Sequence, residues 1–213
     1  MKGVKVVGFD ADDTLWVNED YYRDAESEYA NILAAYGDAD SILSSLYKTE
    51  LGNLKLYGYG VKPFTISMIQ NALAISENKI DPSLIGRMIE IGRNMLEAPV
   101  NLLPNVREVL DCLYGKYRLI LVTKGDLLDQ ERKLNDSSLT PYFHHIEIMS
   151  DKTLRSYQDL LRHQEMEANE FVMIGNSIRS DILPPYELGC SAIHIPYEKT
   201  WLHEMDVEDI GED

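Results

Sequence analysis

The chain is short of cysteine, of basic residues and of long apolar runs, and each shortage removes a class of function. Its two cysteines, Cys112 and Cys190, lie far apart and show no metal-ligand spacing. They exclude a disulfide framework and suit reduced thiols acting as small core residues. Lys and Arg number 20 against 36 Asp and Glu, giving a formal charge of −16 and a pI near 4.6. Nucleic acids and anionic membranes need basic patches, so neither is expected as a partner. No stretch approaches the roughly 18 apolar residues of a membrane span. The apolar run in MKGVKVVGFD is too short for a secretory signal, so a cytoplasmic protein is expected. Internal repeats and low-complexity segments are also missing, and the acidic DVEDIGED reads as a frayed terminus.

What is present is enough for a real core, with 45% hydrophobic residues in 213. Short β-branched runs recur as buried strands: VKVVGF (4–9), YRLILVT (117–123), HIEIMS (145–150), EFVMIGN (170–176) and SAIHI (191–195). Helical patterns fill the gaps between the later ones, from Pro104, Gly125, Thr153 and Ser180. That alternation predicts an α/β fold with a doubly wound parallel sheet. Residues 17–98 break it with helical stretches separated by Gly, Pro and Asn, which predicts an all-helical insert after the first strand. The expected organisation is therefore 1–16 with 99–213 as the α/β core and 17–98 as an inserted helical domain. Within the insert, LYGYGVKPF offers Tyr57, Tyr59 and Lys62 either as an ordinary turn or as groups that read a substrate.

The first strand ends in DADDT, with Asp10, Asp12 and Asp13 crowded together. Two carboxylates about 4 Å apart repel by roughly 1–4 kcal/mol at effective dielectrics between water and a protein surface. Something should offset that cost, and a cation is the sharper answer beside a polar turn or a helix cap. An EF-hand is excluded, because counting from Asp10 puts Leu15 at the turn glycine and Tyr21 at the bidentate glutamate. Three later strands also end in polar groups: Thr123, Lys124 and Gly125; Asp151, Lys152 and Thr153; Asn176, Ser177, Ser180 and Asp181. A parallel sheet brings all four ends to one edge, where ligands of open α/β sheets bind.

DADDT, VTKG, the lysine of SDKT and GNSIRSD resemble, in order, the four motifs of the haloacid dehalogenase-like hydrolases. The resemblance covers the core and implies a Rossmann-like fold with a helical cap. It further implies a Mg²⁺-dependent phosphatase acting on a small phosphorylated metabolite. Asp10 would be the nucleophile that becomes an aspartyl-phosphate, and Asp12 the general acid and base. Thr123, Lys124, Gly125 and Lys152 would contact phosphate, with Thr123 and Lys152 also serving catalysis. Asp10, Asp12 (through its carbonyl) and Asp181 would hold the metal, with Asn176 standing where the family often has Asp. Relatives that dehalogenate 2-haloacids lack the second aspartate of the motif, so Asp12 disfavours that reaction. A phosphomutase, and from another class a phospho-accepting signalling or binding protein with little turnover, stay open, as does the choice between monomer and homodimer.

Overall fold

The computed structural model describes residues 3–199 and 201–205, so DVEDIGED lies outside the described residues. Five strands form one parallel sheet in the order β3-β2-β1-β4-β5. They are β1 (Val6–Phe9), β2 (Arg118–Lys124), β3 (His145–Met149), β4 (Phe171–Gly175) and β5 (Ser191–His194). β1 is central, with Val6 opposite Arg118 on one side and Phe171 on the other. All four of its residues are buried, as a strand covered on both faces requires.

Side-chain alternation splits the strands between two cores. Val7, Phe9, Leu119, Leu121, Val172 and Ile174 share one with Leu110 of α5 (Val106–Leu113) and Leu134 of α6 (Leu127–Asp136). Val6, Ile120, Val122, Phe171 and Met173 share the other with Tyr157 and Leu160 of α7 (Leu154–His163). Each fully buried Val, Leu, Ile or Phe contributes about 1.5–3 kcal/mol. Gly8 falls on this second face, where a Cβ would lie 2.6 Å from the Phe171 ring.

The chain divides into two compact units, one up to Glu19 and from Val100 onward, the other Asp20–Pro99. The second is helical: α1 (Glu19–Ile32, entered from the core side), α2 (Ala39–Tyr57), α3 (Val61–Ile75) and α4 (Pro82–Glu97). Its core gathers Tyr29, Leu33, Leu46, Phe64, Met68 and Met88. Tyr29 donates to the Met68 carbonyl at 3.1 Å and accepts from Asn71 Nδ2 at 2.8 Å, so the buried hydroxyl is satisfied. Burial and nearby Glu26 push the Glu50 carboxyl up to about 8. α2 ends where Gly58 takes φ 73, and α3 starts at Val61, with Pro63 fitting its first helical turn.

Two segments join this unit to the sheet side by side. Val17 donates to the Asn101 carbonyl at 2.9 Å and Leu103 to the Leu15 carbonyl at 2.9 Å, with Trp16 bridged antiparallel to Leu102. Among the described residues, no helix is long and apolar enough to cross a membrane.

Candidate active site

The sheet order reverses direction between β1 and β4, and in open α/β sheets the crevice beyond such a switch point receives ligands. Asp10 directly follows β1, its N–H donating to Ile174 of β4 at 2.8 Å. Its carboxylate is buried: Oδ2 accepts from Thr14 Oγ1 at 2.9 Å and Oδ1 from Lys152 Nζ at 2.5 Å. The same ammonium donates to Asp181 Oδ1 at 2.6 Å. Lys152 stands just before α7, whose start is fixed by reciprocal hydrogen bonds between Thr153 and Ser156.

Asp181 sits in a π-helical turn, Ile178–Ile182, with Oδ2 accepting from the Ser177 N–H at 3.0 Å. It therefore closes its own turn onto the residue that caps it. The proline pair opens a separate short helix, α8 (Leu183–Glu187), so Asp181 is not the cap of the helix that Pro184 and Pro185 enter. β4 must end in glycine, since a Cβ on Gly175 would lie 2.3 Å from Asp181 Oδ2 and 2.4 Å from its Cγ.

Charge is unevenly balanced in this cluster. Burial and the like charge of Asp181 push Asp10 up to about 7 against the pull of Lys152. Burial opposes the charge on Lys152, yet Asp10 and Asp181 hold its pKa well above the usual lysine range. Two buried carboxylates facing one ammonium leave a net negative site. The donor chemistry fits a hard cation: two carboxylates and the Asn176 amide, whose Oδ1 accepts from Thr14 Oγ1 at 3.4 Å. Among the described residues no three or more His, Cys, Asp or Glu side chains gather into a group that could by itself hold a metal ion.

Asp12 is held apart from that cluster. Trp16 Nε1 and Lys133 Nζ donate to its Oδ1 at 2.7 and 2.8 Å, and Gln130 Nε2 to its Oδ2 at 2.8 Å. Burial works against ionisation, but the charge of Lys133 and these bonds hold the carboxyl below its ordinary range. Asp13 takes a left-handed φ of 59 and turns the other way, accepting from the N–H groups of Asn18 and Glu19 at 2.8 and 3.0 Å. It fastens the entry to α1, and burial pushes its carboxyl up to about 7.

Thr123 is buried at the end of β2. Lys124, next to it, donates to Ser180 Oγ at 2.9 Å and to Glu204 Oε1 at 2.5 Å, so its charge is paired with α9 (Leu202–Met205). Glu204 also accepts from Ser180 Oγ at 2.7 Å and from Ser177 Oγ. Burial opposes ionisation of Glu204, but Lys124 and the two hydroxyls bring its pKa down to about 2. Gly125 turns with φ 131 into α6. Asp10, Lys152, Asp181, Thr14 and Asn176 thus form one connected group. Asp12 with Gln130 and Lys133, and Lys124 with Glu204, form two flanking groups. Sequence reasoning did not single out Gln130, Lys133, Trp16 or Glu204. The available signal for the first pair was a glutamine and a lysine three apart on the buried face of an amphipathic helix.

The buried carboxylates and the lysine thus gather at the switch point of an open α/β sheet, where ligands of this architecture bind. A family model of haloacid dehalogenase-like hydrolases matches residues 4–184, and the chain belongs to that family of hydrolases. It is 26% identical to a glyceraldehyde 3-phosphate phosphatase of Methanothermobacter thermautotrophicus, over 99% of this chain and 93% of that one. A haloacid dehalogenase-like hydrolase from Xanthomonas campestris shares 41% identity and superposes with a TM-score of 0.88, covering 93% of this chain and 84% of that one. A HAD-hydrolase from Bacillus subtilis, solved bound to magnesium, has the same fold at 17% identity and a TM-score of 0.65, covering 91% and 89%.

Proposed function

We propose that the protein is a Mg²⁺-dependent phosphatase that hydrolyses a small phosphate monoester through an aspartyl-phosphate on Asp10. The observation that carries this reading is the Lys152 ammonium set between Asp10 and Asp181 at the β1–β4 switch point. An anionic oxygen aimed at phosphorus needs an adjacent positive charge, because phosphoryl transfer is governed by alignment and charge stabilisation. The phosphatase named among the relatives supports the substrate class, a small phosphorylated metabolite.

In the first step an Asp10 oxygen attacks phosphorus and the bond to the leaving oxygen breaks. Asp12 gives that oxygen a proton. Asp12 is ionised in its resting contacts; an entering phosphate dianion raises its proton affinity by like-charge repulsion, and Asp12 takes up from solvent the proton it then donates. In the second step Asp12 takes a proton from water, whose oxygen attacks phosphorus and frees Asp10. Lys152 and the Thr123 hydroxyl would steady the phosphoryl oxygens, with the Gly125 backbone at the same strand end. Lys124 would join them only by giving up Glu204.

Asp10, Asp181, the Asp12 carbonyl and Asn176 would hold Mg²⁺, which when bound supplies positive charge against the phosphoryl oxygens. A magnesium-bound relative of the same fold supports that cofactor. Two free thiols, one exposed, support a reducing compartment, and we assign the protein to the cytoplasm.

The test is phosphate release from a panel of phosphorylated metabolites with Mg²⁺ and with EDTA, for the wild type and Asp10→Asn. Mg²⁺-dependent release abolished in Asp10→Asn is expected. Undiminished release by that variant overturns the mechanism.

A further inference from the structure

We infer that Gln130 and Lys133 are positioning residues for the reaction, fixing the Asp12 carboxylate from one face of α6. The inference rests on the role proposed for Asp12. α6 begins directly after the VTKG strand end, where the Asp126 side chain accepts from the Asp129 N–H at 3.1 Å. Residues three apart on a helix share a face, and Gln130 and Lys133 are 4% and 9% exposed on that face. Burying a lysine and an amide together is unfavourable unless both find partners. The partner they share is Asp12, one oxygen each, at 2.8 Å.

The Gln130 amide is oriented by this task. Its nitrogen faces two acceptors, Asp12 Oδ2 at 2.8 Å and the Lys124 carbonyl at 3.2 Å. The reverse orientation would set oxygen against oxygen at both. The consequence is a buried Oε1 with no hydrogen-bond partner among the described residues. A side chain placed for packing alone gains nothing by leaving a buried acceptor unmatched. Lys133 also donates to Asn18 Oδ1 at 3.0 Å, on the segment leading out toward α1. The Asp12 side chain itself remains 24% exposed, open to a reacting group on one side and fixed on the other.

The experiment compares kcat/KM for glyceraldehyde 3-phosphate, whose alkoxide leaving group needs a proton, with p-nitrophenyl phosphate, whose phenolate leaves without one. Wild type, Lys133→Met, Gln130→Leu and Asp12→Asn are assayed, with the two double variants that combine each α6 change with Asp12→Asn. Both α6 variants are expected to lose on the order of 10- to 100-fold on the alkyl ester and less than about threefold on the aryl ester. In the Asp12→Asn background neither change should cost more, because residues acting through one group are not additive. Equal losses on both esters, or full additivity with Asp12→Asn, overturn the inference. Lys133→Arg is the second reagent if Lys133→Met does not fold, and its expected loss is smaller but shows the same ester preference. Failure of the underlying phosphatase reading appears differently, as a wild type that turns over neither ester or an Asp10→Asn variant that is unaffected.

Discussion

Lys152 Nζ lies 2.5 Å from Asp10 Oδ1, and 1% of the lysine side chain and 8% of the aspartate side chain are exposed. With Asp181 on its other side, this lysine is the positive charge set between two buried carboxylates. Removing one member of a buried pair costs about 3–5 kcal/mol, because the remaining charge is left uncompensated. Lys152→Met is therefore expected to lower the urea midpoint clearly and to reduce phosphate release by at least about 100-fold. Added Mg²⁺ should restore part of the stability and none of the rate.

Gly175 is a packing constraint with a functional readout. A methyl group there meets the Asp181 Cβ, Cγ and Oδ2, all within 2.6 Å, so the carboxylate must move. Gly175→Ala is expected to raise the Mg²⁺ concentration for half-maximal activity about tenfold, one carboxylate contact being worth at least ~1.4 kcal/mol. A Mg²⁺ titration of activity checks it, with circular dichroism showing that the sheet persists.

Glu204 organises the Ser177–Asp181 turn from far along the chain. Glu204→Ala leaves Lys124, Ser177 and Ser180 without their shared acceptor. A loss of about 1–3 kcal/mol in stability is expected, together with weaker Mg²⁺ activation through a looser Asp181. Urea unfolding and Mg²⁺ titration read the two effects separately. Glu204→Gln, which keeps the acceptor but not the charge, should fall between.

The helical unit carries a pH dependence of its own. Glu50 moves from an ordinary value of 4.5 to about 8, so the folded state holds its proton more tightly than the unfolded state does. Its contribution to stability is complete below about 4.5 and is lost as pH rises through about 8. Glu50→Gln is expected to raise the melting temperature at pH 8.5 by about 2–4 °C for each kcal/mol recovered. At pH 4 the two proteins should melt nearly together.

The strands and the residues at their ends were legible because both signals are local. A β-branched run ending in Asp, Thr or Lys needs no knowledge of its neighbours, so Asp10, Thr123, Lys152 and Asp181 could each be assigned to a strand end. That parallel strand ends share one edge followed from the alternation alone, and Asp10, Lys152 and Asp181 meet there. The flanking pairs were not legible. Lys133 meets Asp12 across 121 positions and Glu204 meets Lys124 across 80. Nothing in the local pattern of either partner tells a solvated lysine from one that folding delivers to a carboxylate. Lys124 was expected only as a phosphate contact at its strand end, and its commitment to Glu204 was invisible there.

The paired segments at Leu15–Val17 and Asn101–Leu103 bear on how such a protein can change. Because the chain leaves the core and returns through one short ladder, the sheet meets everything in between as a single closed loop. The entropy of closing a loop grows only slowly with its length. Recombination could replace the helices wholesale, with longer, shorter or unrelated ones, and the register of β1 against β2 and β4 would not have to shift. The carboxylate cluster at the sheet edge and the part of the chain open to replacement could thereby vary independently.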